Sequence, residues 1–401
     1  MLYATTLRQM DCFGQTPSQL LLRPHPPRSP STDTIRPLIH VSQWVGHPRV
    51  RGSRSRRPVL CLALADEAVV AIDARRRLSL HKWKALPPDH EPPFAFASTP
   101  TSTHVLGGPF ATRAVTTYAE SAIALSSNLF AVYGKHVFSA GHWDHSVQIT
   151  RLVDGSGSEN GQSVRGHHDV VTCVAVSEDG RVLVSGSSDN TVMVWPLLWR
   201  DKICELRRTP SFVLYGHDDG VTSVAVSSDM DLVLSASRDG TIIVHTLSNG
   251  RYIRTLRPDA SRHARLTYVG LSTYGSILTY CDSSSTLYRY SINGDCLASR
   301  VVDQKAQAFA LTQAGDAILL GGRGQTITVY RVHDLSIQRD FDGSDETRGL
   351  KAFQSPIHAL CFSSNDMHLL VGLGNGDVCV FTPDAQYLRD RLQTKLTDLG
   401  F

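Results

Sequence analysis

A histidine, a serine and an aspartate recur at fixed spacing, and they are the residues of this sequence best suited to chemistry. Two sets lie 50 residues apart: His167, Ser185 and Asp189, and then His217, Ser235 and Asp239. These residue types can form a hydrolytic triad, in which the histidine takes the serine proton and the aspartate orients the histidine. The same types can instead form a buried hydrogen-bond network that stabilises a fold.

The way in which the set recurs favours the structural role. A nucleophilic serine must be exposed beside an oxyanion hole, whereas Ser185 lies among apolar neighbours. His245 stands in the second copy where Trp195 stands in the first, and an earlier copy around Ser139 and Asp144 has a threonine there. A catalytic set would not recur in altered copies, but a structural set can. We therefore predict a structural network and no enzymatic activity.

Three short apolar runs that end at Trp195 must position the first set. They are rich in β-branched residues and are separated by turn-forming residues at 178–180 and 188–190. Runs of this kind predict antiparallel strands joined by hairpins. A tryptophan deep in such a sheet needs an acceptor, and a histidine beside it needs partners for its ring nitrogens. Loss of one member would leave a buried polar group unpaired, at about 1–3 kcal/mol.

The same unit is repeated along the chain. Similar units end at seven positions: Trp83, Thr150, Trp195, His245, Tyr290, Tyr330 and Phe381. From Thr150 onward these ends are 40 to 51 residues apart. Such a period, with four strands per unit, is typical of a WD40 β-propeller, and one sheet cannot bury both of its faces alone. We predict an all-β fold: a seven-bladed WD40-type β-propeller with a short irregular N-terminal segment.

The composition bounds the classes of partner. The chain is 41% hydrophobic and 19% charged, which is typical of a soluble globular protein. The net charge of +3 is too small to indicate a nucleic-acid partner. The eight cysteines include no C-x-x-C pair, which favours buried reduced thiols in the cytoplasm over a disulfide framework. No apolar run is long enough to span a membrane, and the first residues lack the apolar core of a signal peptide.

Other polar clusters predict no cofactor, metal or small-molecule substrate. Two histidine pairs, at 142 and 145 and at 167 and 168, lack two further ligands at zinc spacing. Glycine clusters at 321–324 and 372–376 lack the following helix that a phosphate site requires. Hairpin turns explain both clusters.

The rim of the predicted propeller comprises the turns between second and third strands and the loops between blades. Its candidate partner-binding residues are His142, Trp143, His168, Asp218, Arg238 and Arg323. Trp143 either packs in its turn against the next blade or is an interface anchor. Because the rim carries charges of both signs, it favours a protein partner over a polyanion.

Several segments resemble a known family. FGQTPSQLL at 13–21, followed by PHPPR at 24–28, resembles the C-terminal end of BEACH domains, which a WD40 propeller follows in neurobeachin-like proteins. SAGHWDHSVQI at 139–149, GHHDVVTCVAVS at 166–177 and SINGDCLAS at 291–299 resemble blades of that propeller. The resemblance implies that His167 bonds Ser185 and Asp189, and that Ser185 accepts the indole N–H of Trp195.

These observations divide the chain into four parts. Residues 1–30 are expected to be the end of a BEACH domain, 31–56 a solvated basic linker, 57–385 the seven-bladed propeller and 386–401 a C-terminal tail. Stretches at 155–161 and 198–212 are expected to be loops between blades.

The resemblance also implies a setting for the function. The chain is expected to be a protein-interaction scaffold in vesicle trafficking or membrane-protein sorting. It is expected to lie in the cytoplasm, and any peripheral association with endomembranes would be made through a BEACH region. The alternative is a WD40 adaptor of another complex, such as a ubiquitin-ligase substrate receptor.

Overall fold

The structure is a computed structural model. It describes residues 44–46, 50–51, 57–65, 68–74, 77–85, 94–96, 102–105, 126–153, 157–200, 203–258, 264–344, 351–362 and 368–383. Within these ranges the regular structure consists of strands and one 3-10 helix, Ser126–Leu129. No helix in the described ranges is long and apolar enough to cross a membrane.

The first strands are β1 (Trp44–Gly46), β2 (Val50–Arg51), β3 (Val59–Ala65), β4 (Ala68–Asp73), β5 (Arg77–Ala85), β6 (Phe94–Phe96) and β7 (Ser102–Val105). Strands β3 to β7 form sheet 1. Its third strand, β5, pairs with β7 through its first half and with β6 through its second half.

Four sheets follow. Sheet 2 contains β8 (Phe130–Tyr133), β9 (His136–Ser139), β10 (Ser146–Val153) and β11 (Gly157–Arg165). Sheet 3 contains β12 (Val171–Val176), β13 (Val182–Ser187), β14 (Val192–Arg200), β15 (Ile203–Leu206) and β16 (Phe212–Leu214). Sheet 4 contains β17 (Val221–Ser227), β18 (Leu232–Ser237), β19 (Ile242–Thr246) and β20 (Tyr252–Leu256). Sheet 5 contains β21 (Leu266–Leu271), β22 (Ser276–Cys281), β23 (Thr286–Ser291) and β24 (Cys296–Val301).

The last two sheets complete the set. Sheet 6 contains β25 (Ala306–Leu311), β26 (Ala317–Gly322), β27 (Ile327–Arg331) and β28 (Ile337–Phe341). Sheet 7 contains β29 (Ile357–Phe362), β30 (Leu369–Leu373) and β31 (Asp377–Pro383), and it is completed by β1 and β2. Every described pairing is antiparallel. The seven predicted unit ends all fall in the third strand of a sheet, so the prediction of seven repeated sheets is confirmed.

The described strands group into two compact units. In the first unit, which holds sheets 2 to 5, each sheet packs against the next through its first strand. Val184 and Val194 of sheet 3, for example, share an apolar core with Val221 and Val233 of sheet 4. In the second unit, sheet 6 packs on sheet 7 and sheet 7 packs on sheet 1. The core of each unit is therefore a series of apolar layers between neighbouring sheets.

A bulge recurs at the start of the first strand in most sheets. It falls between Val171 and Cys173 in sheet 3, and between Val221 and Ser223 in sheet 4. The extra residue in sheet 3 is Thr172, whose hydroxyl donates both to the carbonyl of Gly186 in its own sheet and to that of Val221 in the next. The bulge thus turns a polar side chain out of the ladder and ties neighbouring sheets together.

Three predicted loops contain strands. The segment 31–56, expected to be a linker, includes β1 and β2, which pair with β31. The stretch 155–161 enters β11 at Gly157, and 198–212 includes the β14–β15 hairpin. Strand β11 was missed because its sequence, GSENGQSVR, is polar and glycine-rich. Strands β1, β2 and β15 were missed because they contain only 3, 2 and 4 residues, and their pairing with other strands supplies what local propensity lacks.

Candidate functional site: turns and loops held by a buried polar network

Sheet 3 brings His167, Ser185, Asp189 and Trp195 into one hydrogen-bonded chain. The indole N–H of Trp195 donates to Ser185 Oγ over 2.8 Å, and that oxygen lies 2.8 Å from His167 Nε2. His167 Nδ1 lies 3.1 Å from Asp189 Oδ2. Because an indole nitrogen only donates and a carboxylate only accepts, the serine hydroxyl donates to Nε2 and the Nδ1–H donates to Asp189. The histidine is therefore held as its Nδ1–H tautomer.

The chain is closed to solvent. Ser185 is 0% exposed and Trp195 is 1% exposed. A Cβ on Gly166 would lie 2.5 Å from Cη2 of Trp195, so the residue before His167 must be glycine for the indole to fit. A serine enclosed in this way cannot attack a substrate, and its hydroxyl serves as a bridge between the indole and the imidazole.

Asp189 is the end of the chain and also its link to the surface. Its Oδ2 accepts the backbone N–H of His168 over 2.8 Å, and its Oδ1 accepts the N–H and the hydroxyl of Thr191 over 3.0 Å and 2.6 Å. Burial alone would raise the pKa of this carboxyl, but the hydrogen bonds from His167, Thr191 and His168 outweigh burial and hold the pKa well below its ordinary value. The charged carboxylate thus fastens the loop before sheet 3 to the turn between β13 and β14.

Sheet 4 repeats this arrangement without the tryptophan. His217 Nε2 lies 2.8 Å from Ser235 Oγ, and its Nδ1 lies 3.3 Å from Asp239 Oδ2. Asp239 accepts the backbone N–H of Asp218 over 2.9 Å. The indole position holds His245, which is buried. Burial, followed by the charge of His217, lowers the pKa of His245 to about 4, against the opposing effect of the Tyr215 carbonyl.

Sheet 2 brings Ser139 and Asp144 into two separate contacts. Ser139 Oγ lies 3.0 Å from Nε2 of His142, a residue of the β9–β10 turn itself. Asp144 instead accepts the hydroxyl of Ser146 over 2.6 Å and pairs with the Arg165 guanidinium over 3.0 Å. The histidine of this sheet therefore comes from inside the turn, and the carboxylate engages a surface arginine.

The predicted rim residues differ in accessibility. His142 lies in the β9–β10 turn but is only 2% exposed, because its bond to Ser139 draws it inward, so the prediction that its side chain contacts a partner is wrong. Trp143 is 53% exposed, and His168 and Asp218 are exposed as well. Arg238 is half-buried. Arg323, which lies in the second unit, is exposed, and its charge adds to burial in lowering the pKa of His358.

In the first unit, these turns and loops contact one another in succession. His145 Nδ1, in the turn of sheet 2, lies 3.9 Å from Asp169 Oδ1 in the loop before sheet 3. Asn190, in the turn of sheet 3, donates to the carbonyl of Asp218 before sheet 4 over 3.2 Å. Trp143 occupies the exposed corner of the first turn, which the backbone bond from His145 to His142 closes. The result is a continuous surface of turns and loops across sheets 2, 3 and 4.

Sequence reasoning missed three residues here. Thr191 and Thr241 complete the two networks, and a threonine two residues after each aspartate was the available signal. Asp169 belongs to the exposed surface, as its place beside His168 indicated.

Within the described ranges, no group of three or more His, Cys, Asp or Glu side chains is placed to hold a metal ion.

A match to a family model and similarity to individual known proteins both indicate the same family. The neurobeachin beta propeller domain model matches residues 50–391. The BEACH domain-containing protein B of Arabidopsis thaliana is 32% identical over 368 residues, covering 84% of this chain and 14% of that protein. The protein lvsE of Dictyostelium discoideum, also named BEACH domain-containing, is 25% identical over 68% of this chain and 12% of its own length. A neurobeachin homolog of Caenorhabditis briggsae is 26% identical over 94% of this chain and 16% of its length.

The chain thus spans less than a fifth of the length of these relatives. The seven repeated antiparallel sheets and the family match agree on the fold class, a seven-bladed WD40-type β-propeller. The chain belongs to the neurobeachin β-propeller family, the propeller region of BEACH-domain proteins.

Proposed function

We propose that the chain is a non-catalytic docking platform for protein partners, which acts in vesicle trafficking and membrane-protein sorting on the cytosolic side of endomembranes. The observation that carries the proposal is the exposed Trp143, held at the corner of a short turn beside loops that are fixed from beneath. Exposed tryptophans on rigid loops are frequent anchors of protein interfaces. The setting in trafficking is part of the proposal, and membership of the neurobeachin β-propeller family supports it.

A rigid surface suits this role better than catalysis does. Sheets 3 and 4 each contain an arrangement of serine, histidine and aspartate that resembles a triad, and the serine of each is buried. In both sheets the aspartate that would orient a catalytic histidine also holds a backbone N–H of the preceding loop. We therefore assign the network to holding the loops in place, which lowers the entropy lost when a partner binds.

The test is recovery of partners from a cytosolic extract by the tagged chain. Trp143→Ala should recover the specific partners less well while its melting temperature stays that of the wild type. Tyr274→Ala is the matched control, because Tyr274 is 74% exposed and lies in the turn between β21 and β22, at the other end of its sheet. Equal recovery by all three proteins would remove this surface from consideration.

The identity of the recovered proteins tests the setting. Proteins of vesicle coats, tethers or sorted membrane cargo support the trafficking role. Consistent recovery of ubiquitin-ligase subunits in their place would favour the adaptor of another complex, and would leave the docking role itself intact.

A further inference from the structure

The surface around Trp143 carries three exposed carboxylates. Asp169 is 52% exposed in its side chain, and Asp218 and Asp219 are exposed as well. Asp169 and Asp219 each accept one backbone N–H, from Val170 and Gly220, over 2.6 Å. Among the described residues, none of the three carboxylates has a lysine or arginine within ion-pairing distance. Asp169 has the imidazole of His145 at 3.9 Å, whereas the carboxylates of Asp218 and Asp219 face the solvent.

Two arginines near this surface are engaged elsewhere or partly enclosed. The exposed Arg165 has its guanidinium engaged by Asp144 over 3.0 Å and 3.3 Å. Arg238 is half-buried, with its Nε enclosed. The exposed side chains between the turn of sheet 2 and the loop of sheet 4 thus include Trp143, His168 and the three carboxylates.

The carboxylates are also fixed in position. Ser187 Oγ donates to the carbonyl of Asp169 over 3.0 Å, and Ser237 Oγ donates to that of Asp219 over 2.7 Å. Asn190 holds the carbonyl of Asp218. Because the backbone at all three positions is tied to buried hydroxyls or to a neighbouring turn, a ligand would meet a preorganised set of charges.

We propose that Trp143, Asp169, Asp218 and Asp219, here named the acidic-aromatic surface, bind an extended segment of a protein partner that is rich in lysine or arginine. A guanidinium or ammonium group stacks favourably on an indole face. The three carboxylates complement further positive charges along the same segment and would repel nucleic acid or anionic lipid. The inference rests on the docking role proposed above and adds the chemical class of the partner.

The experiment is fluorescence anisotropy of the 401-residue chain with a labelled peptide of alternating arginine and serine, compared with one of alternating glutamate and serine. The wild type should bind the arginine peptide and ignore the glutamate peptide. Trp143→Ala should weaken binding about tenfold, which corresponds to about 1.4 kcal/mol. The triple variant Asp169→Asn, Asp218→Asn, Asp219→Asn should weaken it at least as much and flatten its salt dependence.

Asparagine keeps an oxygen that accepts the N–H of Val170 or Gly220, so the triple variant preserves the loops while it removes their charge. The matched control is Asp229→Asn with Tyr274→Ala, which removes an exposed carboxylate and an exposed aromatic ring from the turns at the opposite end of sheets 4 and 5. This control should bind the arginine peptide as the wild type does.

Two results would overturn the inference. One is no binding of the arginine peptide by the wild type at about 1 mM, the weak end of specific affinities. The other is equal loss of binding in the control and in the surface variants. A chain that still recovers its partners through Trp143 but ignores the arginine peptide would keep the docking role and lose only the partner class assigned here.

Discussion

At the scale of single residues, sheets 3 and 4 are a natural comparison of two ways to fill one position. Trp195 supplies a donor to Ser185, whereas His245 fills the same place in sheet 4, where the Ser235 hydroxyl lies 2.8 Å from Nε2 of His217 and receives no indole N–H. The histidine also keeps a buried Nδ1 without a hydrogen-bond partner. The buried polar groups of sheet 3 are therefore better supplied with hydrogen-bond partners than those of sheet 4.

Trp195→Phe should retain the fold and lower the free energy of unfolding by about 1–3 kcal/mol, because it removes a buried donor and keeps an aromatic ring. Thermal melts followed by circular dichroism would measure the change. Trp199→Phe is the matched control, since its indole donates to the carbonyl of Gly180 from a partly exposed position and should matter less. An unchanged melt for Trp195→Phe would contradict the stabilising role of the network.

His245 should make the protein sensitive to mild acid. Its folded pKa, about 4, lies below the ordinary value of 6.5, so the unfolded chain binds the proton more readily. The stability contributed by neutral His245 is present above pH 6.5 and is lost as the pH falls from 6.5 toward 4. His245→Phe should reduce this loss, measured as the difference in denaturant midpoint between pH 7 and pH 4.5. An equal difference in denaturant midpoint for the two proteins would show that folding does not lower the pKa of His245.

The recurrent residues of the network could be recognised from sequence because sheets 3 and 4 each carry a full copy within about 30 residues. The accessibility of individual side chains could not. His142 and Trp143 are adjacent in the same turn, yet one is enclosed by its bond to Ser139 and the other faces solvent. Which of the two side chains turns inward depends on the hydrogen-bond partner that the fold supplies. The amino-acid sequence of the turn does not indicate that partner.

At the scale of elements, neighbouring sheets approach closely where the second strand carries a glycine. In sheet 3, a Cβ on Gly186 would lie 2.5 Å from Val221 Cγ1 of sheet 4 and 2.7 Å from Cys173 Sγ. Gly321 has the same relation to Ile357 in the second unit, at 2.7 Å. The repeated strand pattern predicted these sheets, but the close contacts between them depend on residues about 35 positions apart.

Gly186→Ala should therefore destabilise the fold by about 1–3 kcal/mol, the usual cost of an overpacked core. The combined variant Gly186→Ala, Val221→Ala should recover part of that loss, because the smaller side chain makes room for the new methyl group. A double-mutant cycle on chemical denaturation would measure the coupling. Strictly additive effects would mean that the new methyl group at position 186 does not clash with Val221.

At the scale of the whole molecule, the described chain begins and ends in one sheet. Strands β1 and β2 pair with β31, so residues before sheet 1 complete sheet 7. The sequence predicted the repeats because each is a local unit, but it did not predict this pairing, whose partners lie more than 300 residues apart and follow no period. The family match agrees, since it begins at residue 50, inside the segment expected to be a linker.

Removal of residues 1–56 should lower the melting temperature and promote self-association, because it leaves the edge of β31 unpaired and available to other chains. Removal of residues 1–43 is the control, since it keeps both strands. Differential scanning fluorimetry and size-exclusion chromatography would distinguish the two truncations. Equal behaviour would show that β1 and β2 add nothing to the stability of sheet 7.

The carboxylate of Asp189 faces two ways, toward the imidazole on one side and the peptide group of His168 on the other. A ligand that binds this loop should therefore disturb the hydrogen-bonded chain that runs through His167 and Ser185 to the indole N–H of Trp195. The chemical shift of the Trp195 indole N–H should therefore change when a ligand binds at the surface, although the indole itself is buried. This resonance would report binding in nuclear magnetic resonance titrations of candidate ligands.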